Sequence, residues 1–126
     1  MIMRSDYLMG RDVKWPLTVE QEMEVTKLLA SVQGLFADCP VPLSVSSGYR
    51  PAAVNAQVPN SAKRSAHMYC QAVDLKDPEG NLARYMLLNV SLLDKWDLYL
   101  EDPSYTKGWV HLQTRRTRSG RRIFKP

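Results

Sequence analysis

Cysteine and histidine are scarce in this chain, two of each among 126 residues, and no apolar run approaches the ~18 residues that a bilayer-spanning helix needs. Cys39 and Cys70 are too few for the disulfide framework of a small secreted scaffold, and no zinc-finger spacing of Cys and His accompanies them. They can pair only if the fold brings them together, and free thiols are expected. No internal repeat or low-complexity tract is present, which excludes a solenoid. The opening Met1-Ile2-Met3-Arg4-Ser5-Asp6 lacks the apolar region of a signal peptide, so cytoplasmic synthesis without a membrane span is expected. What is present, 44% hydrophobic residues, suffices for one domain over residues 1–126 with a single core that does not rely on disulfides. A monomer is expected.

Both histidines lie among residues that suit a metal. His67 is followed by Asp74 in the stretch Ser65-Ala66-His67-Met68-Tyr69-Cys70-Gln71-Ala72-Val73-Asp74, and His111 lies in the alternating Trp109-Val110-His111-Leu112-Gln113. A catalytic zinc keeps three protein ligands, typically neutral imidazoles and carboxylates, and leaves one position open. His67, Asp74 and His111 make one such set. Side chains alternate across a strand, so Ala72, Asp74 and Lys76 share one face of residues 71–76 while Val73 and Leu75 share the other. In the second segment Val110 and Leu112 enter the core, leaving Trp109, His111 and Gln113 on the opposite face. Paired, the two strands would present Asp74 and His111 to a common metal, with His67 reaching in from the preceding loop. The plainer alternative makes His67 a loop residue, Asp74 an ordinary strand polar group and His111 a hydrogen-bonded surface imidazole.

The order and spacing of three segments resemble a known family: the zinc D-alanyl-D-alanine carboxypeptidases and the related phage and bacterial L,D- and D,D-peptidases, endolysins among them, that cut peptidoglycan stem peptides. The segments are Ser47-Gly48-Tyr49-Arg50, Ser65 through Asp74, and Trp109-Val110-His111, and the resemblance spans about residues 43–113. It implies that His67, Asp74 and His111 bind Zn2+ and that Arg50 contacts a substrate carboxylate. A guanidinium suits that task independently, because its paired donors match a carboxylate; a surface salt bridge is its other reading. Ser65 is expected to bond the metal loop or orient a ligand, Gln113 to bond substrate backbone, and Tyr49 and Trp109 to wall the cleft.

Two positions depart from the family pattern. Cys70 stands where the pattern has glycine, and a positive φ there would strain a cysteine; packing is its expected role, ahead of metal ligation. Gly108 stands three residues before His111, where many relatives carry the catalytic carboxylate. Hydrolysis of an amide needs a general base, and the nearest acids upstream are Glu101, the first choice, and Asp102, the second. A solvated turn is the alternative for either, with Asp102-Pro103 initiating the loop.

The first helix is expected over residues 19–37, capped by Thr18 with Gln21 and carrying the apolar stripe Val25, Leu28, Leu29, Val32, Leu35 and Phe36. A strand over 43–47, a short helix over 51–56, a strand over 71–76, a helix over 82–93 burying Leu82, Tyr85, Met86, Leu88 and Leu93, and strands over 96–101 and 109–114 follow. That order is an α+β domain: a small, mostly antiparallel sheet flanked by helices, with a single zinc site on one sheet face.

Charge is uneven. Arg115, Arg116, Arg118, Arg121, Arg122 and Lys125 place six cations in the basic segment 115–126 without an acid, so of the net +4 the rest of the chain carries −2. Such a segment suits anionic cell-wall polymers; nucleic acid is not expected, since no recognition motif accompanies it. Its alternative is a terminal arm with Arg122-Ile123-Phe124 packed on the domain. The function expected is a zinc-dependent peptidase acting on peptidoglycan stem peptides at the cell wall, as carboxypeptidase or endopeptidase. A catalytically inactive zinc-containing wall-binding or phage structural module is the alternative that Gly108 favours.

Overall fold

Thr18 and Gln21 exchange hydrogen bonds, Gln21 N to Thr18 Oγ1 at 3.1 Å and Thr18 N to Gln21 Oε1 at 2.9 Å, and this reciprocal cap starts the longest helix. That helix spans Val19–Leu35, within the expected 19–37, and its stripe from Val25 to Phe36 is buried. Each of those side chains contributes roughly 1.5–3 kcal/mol by leaving water. The stripe joins Val73, Leu75, Leu100, Val110 and Leu112 in one cluster of 20 buried residues.

A computed structural model describes residues 1–126. In chain order the elements are α1 (Arg4–Leu8), α2 (Val19–Leu35), β1 (Val45–Ser47), α3 (Ala52–Asn55), β2 (Ala72–Lys76), α4 (Asn81–Leu88), α5 (Ser91–Lys95), β3 (Tyr99–Glu101), β4 (Trp109–Gln113) and β5 (Ile123–Phe124), with 3-10 turns at Ala66–Tyr69 and Pro103–Tyr105. The architecture is α+β, a five-stranded sheet of order β1-β2-β4-β3-β5 with helices packed on it. Three pairings are antiparallel, in line with the mostly antiparallel sheet expected, and one, β3 with β5, is parallel, so the sheet in detail is mixed. The parallel edge arises because the chain crosses over through residues 114–122 before Leu100 N meets Arg122 O at 2.6 Å and Asp102 N meets Phe124 O at 2.7 Å.

Other boundaries differ for local reasons. The helix expected over 82–93 is two, because Asn89 leaves helical geometry (φ −134°) after α4, and Leu88 is exposed rather than buried. The strand expected from residue 96 begins at Tyr99, since Asp97 adopts a left-handed φ of 52° that turns the chain out of α5. The strand expected over 43–47 is shortened to β1. Helix α1 was not anticipated: five residues carry too little periodicity to announce it. Tertiary contact holds it, Tyr7 being fully buried with its hydroxyl donating to Ala72 O at 2.8 Å.

Register places the chemistry. Val73 pairs with Leu112 and Leu75 with Val110 toward the core, so the intervening pair, Asp74 with His111, shares the other face.

Candidate metal centre

Three segments build the site. Asp74 and His111 are cross-strand partners on β2 and β4, and His67 arrives from the 3-10 turn at Ala66–Tyr69, which Ser65 starts by accepting His67 N at its Oγ (3.3 Å). One donor atom from each of the three lies within 4.8 Å of the others. His67 Nε2 stands 3.2 Å from Asp74 Oδ2 and His111 Nδ1 stands 2.8 Å from Asp74 Oδ1.

The outer nitrogens decide what the inner ones carry. His67 Nδ1 is 2.9 Å from Gly48 O, and a carbonyl can only accept, so Nδ1 holds the proton. Gln113 Nε2 donates to Arg115 O at 2.9 Å, which turns Gln113 Oε1 toward His111 Nε2 at 2.8 Å and puts that ring's proton on Nε2. In neutral imidazoles the inner Nε2 and Nδ1 therefore bear lone pairs, and both face the carboxylate of Asp74. Three converging acceptors with nothing between them repel, so the cluster requires a cation or added protons. Two imidazole nitrogens and a carboxylate are a zinc donor set, and the outer partners Gly48 and Gln113 orient the rings as such ligands need. The residues fit the ion.

Protonation shifts follow the same geometry. Where added protons rather than a cation fill the cluster, burial would raise the carboxyl of Asp74, but the hydrogen bonds then donated by His111 and His67 outweigh it and hold the group well below the usual carboxylate range. Burial would lower His111, yet the bond to Asp74 raises it. Glu101 is pushed above the ordinary range, mainly by burial and further by the charges of Asp74 and Asp102, against the pull of His111.

The cluster lies in a cleft of about 620 Å³ whose walls include Arg50, Ser65, Glu101, Trp109, Gln113 and Phe124. Arg50 is 8% exposed; its Nη1 meets Asn55 Oδ1 at 3.3 Å, while its buried Nε has no partner in the protein. Asp102 lies elsewhere: its Oδ1 caps the following turn by accepting Ser104 N at 2.9 Å, which lowers its pKa, and it lines a neighbouring cavity. Tyr49 does not wall the cleft as expected. It is 4% exposed, with its hydroxyl on Trp15 O at 3.1 Å. Gln113 reaches the cleft, but both ends of its amide are engaged by His111 and Arg115 rather than free for substrate backbone.

Both departures from the family pattern have backbone explanations. Cys70 adopts φ 59°, ψ 30°, the left-handed conformation glycine favours, and its side chain is fully buried. Burial pushes its thiol up to about 12, it is not among the converging donors, and both cysteines are free. Gly108 has φ 84°, and its carbonyl accepts Asp77 N at 2.9 Å to close the turn before β4. Gly48 is required by space, because a Cβ there would lie 2.0 Å from Tyr7 O. Sequence reasoning missed Asn55, which holds Arg50 and also donates to Ala62 O at 2.9 Å, and Phe124, whose ring centroid is 6.1 Å from that of His111. An asparagine in Ala-Ala-Val-Asn-Ala and a phenylalanine 13 residues after His111 carry no local signal of either role.

A family model described as Peptidase M15 matches residues 4–112. No curated protein and no solved structure matches the chain.

Proposed function

The chain belongs to the peptidase M15 family, a family of zinc metallopeptidases, and on that premise we propose that it hydrolyses peptidoglycan stem peptides, as a D-Ala-D-Ala carboxypeptidase or a murein endopeptidase. The observation that carries this reading is the convergence of lone pairs from His67, Asp74 and His111 in a cleft that also holds Arg50 and Glu101.

When bound, zinc supplies Lewis acidity toward a carbonyl oxygen and toward water at neutral pH. The chain's own residues do the rest. Gly48 and Gln113 accept from the outer nitrogens of the two rings and so leave the inner nitrogens unprotonated, facing the carboxylate of Asp74. Arg50, on the cleft wall and held by Asn55, offers its guanidinium to a substrate carboxylate, where a charge-assisted bond is strong because the group is already largely desolvated. Glu101, its pKa raised by burial, takes the proton of the attacking water at its carboxylate and passes it to the leaving amine nitrogen. Trp109 and Phe124 limit water at the scissile bond.

A catalytically inactive wall-binding or phage structural module is favoured by one observation, Gly108 where relatives place their carboxylate. One experiment separates the two. Purified peptidoglycan is incubated with the protein, with chelator, and with chelator followed by zinc, and the released fragments are identified by mass. Free alanine marks a carboxypeptidase and new amino termini an endopeptidase. Release that ignores chelation, or no release from zinc-loaded protein, overturns the proposal.

A further inference from the structure

We propose that the basic segment forms an anion subsite continuous with the metal cleft, which takes a second carboxylate of the same peptide; this rests on the peptidase reading above. The segment lies beyond residue 112, outside the stretch that matches the family.

Of its six cations, two are occupied. Arg115 donates to Gln71 Oε1 at 3.0 Å and to Arg64 O at 2.7 Å, and Arg122 pairs with Asp94 at 3.0 Å and Asp97 at 2.8 Å. Arg116, Arg118, Arg121 and Lys125 are exposed and form no ion pair. They line a concavity of about 1010 Å³ in which Asp102 is the sole acid, and one oxygen of Asp102 is committed to Ser104 N. The loop is shaped by its own bonds, Thr117 Oγ1 to Arg121 O at 2.9 Å, Arg121 N to Ser119 Oγ at 3.2 Å and Gly120 N to Thr117 O at 3.1 Å. The cations are thus gathered before any ligand arrives, and like charges so gathered repel until an anion joins them.

Gln113, Arg115 and Phe124 line both this concavity and the metal cleft. A peptide lying over His111 therefore continues toward the arginines without leaving the protein surface. Guanidinium forks match a carboxylate in pairs, and a stem peptide carries carboxylates besides the terminal one. The phosphate of a wall polymer offers the same chemistry. The shared wall and the concave shape favour the peptide.

The test uses two labelled stem pentapeptides ending in D-Ala-D-Ala, identical except that the glutamate α-carboxylate is free in one and amidated in the other. Binding to zinc-loaded wild type and to Arg118→Gln/Arg121→Gln is read by fluorescence anisotropy, with zinc content and circular dichroism as controls and cleavage followed in parallel. Wild type is expected to bind the free acid about tenfold more tightly than the amide, an advantage that falls below about twofold in the double variant and in high salt. Equal binding of both peptides by wild type, or an undiminished advantage in the variant, overturns the subsite. So does arginine-dependent capture of inorganic polyphosphate with no preference between the peptides, which assigns the loop to a polymer. Arginine-dependent binding of the acid without cleavage keeps the subsite and removes the peptidase reading instead.

Discussion

Asp74 is the residue on which both histidines converge, one on each carboxylate oxygen, and the outer hydrogen bonds of the two rings give that convergence its meaning. Gln113 matters because Arg115 O fixes which end of its amide faces His111. Gln113→Ala should weaken zinc affinity about 10–100-fold in competition with a chelating indicator, with Gln113→Glu recovering most of it through its acceptor oxygen. Unchanged affinity in Gln113→Ala would show that the ring is oriented by packing alone. For the proton carrier, Glu101→Gln should lower kcat at least about a hundredfold while retaining zinc, and Asp102→Asn should change it little. The reverse order reassigns the base. Glu101 also has a stability signature in metal-free protein. Its folded pKa is raised, chiefly by burial, so it binds a proton more tightly folded than unfolded. That contribution is complete below its unfolded value and is lost as pH rises through the folded one. Denaturant midpoints of wild type should therefore fall relative to Glu101→Gln as pH rises from about 4 toward neutrality. Parallel profiles would argue against a perturbed Glu101.

At the scale of elements, the site depends on a short sheet that the helices hold in place. α2 is specified twice, by its cap and by its stripe, and the two differ in weight. Thr18→Ala removes one capping bond on an exposed turn and should cost about 1 kcal/mol, whereas Leu28→Ala opens a cavity in the core and should cost about 2–5 kcal/mol. Equilibrium denaturation of the two variants checks the order; a larger loss for Thr18→Ala would mean that the core collapses around the missing leucine. β5 shows the converse. Its two residues are too few to announce a strand, yet pairing with β3 brings Phe124 against His111 and places the basic loop beside the cleft.

Across the whole molecule, charge and metal divide the surface. Six cations gather in the last twelve residues while the remainder is net negative, so the positive field is local to one end of the cleft. No helix is long and apolar enough to cross a membrane. The three ligands come from segments separated by up to 44 residues, and an ion bound by all three exists only with the folded chain. Saturating zinc should raise the thermal midpoint, by an amount equivalent to about 2.7 kcal/mol at one hundred times Kd, and a chelator should remove that gain. Asp74→Asn should lose the response. A midpoint indifferent to zinc in wild type would mean that no ion binds the folded state preferentially.

The α2 cap, its buried stripe and the alternation around Asp74 and His111 were legible in the sequence because each is a local pattern of fixed period. The family motif was legible from its order and spacing, whereas the reasons for it, the close approach of Tyr7 to Gly48 and the glycine-like backbone angle at Cys70, appear only in the fold. Register followed from burial, since slipping β2 by one residue would turn Val73 and Leu75 to the solvent face. What only the tertiary structure decided was which distant groups meet: Gln113 with His111, Asn55 with Arg50, Glu101 rather than Asp102 in the cleft wall, Tyr49 in the core, and β5 parallel to β3. Those choices depend on where loops return to the sheet. Loop paths are set by packing and hydrogen bonds between residues far apart in the chain, and such contacts have no period to read.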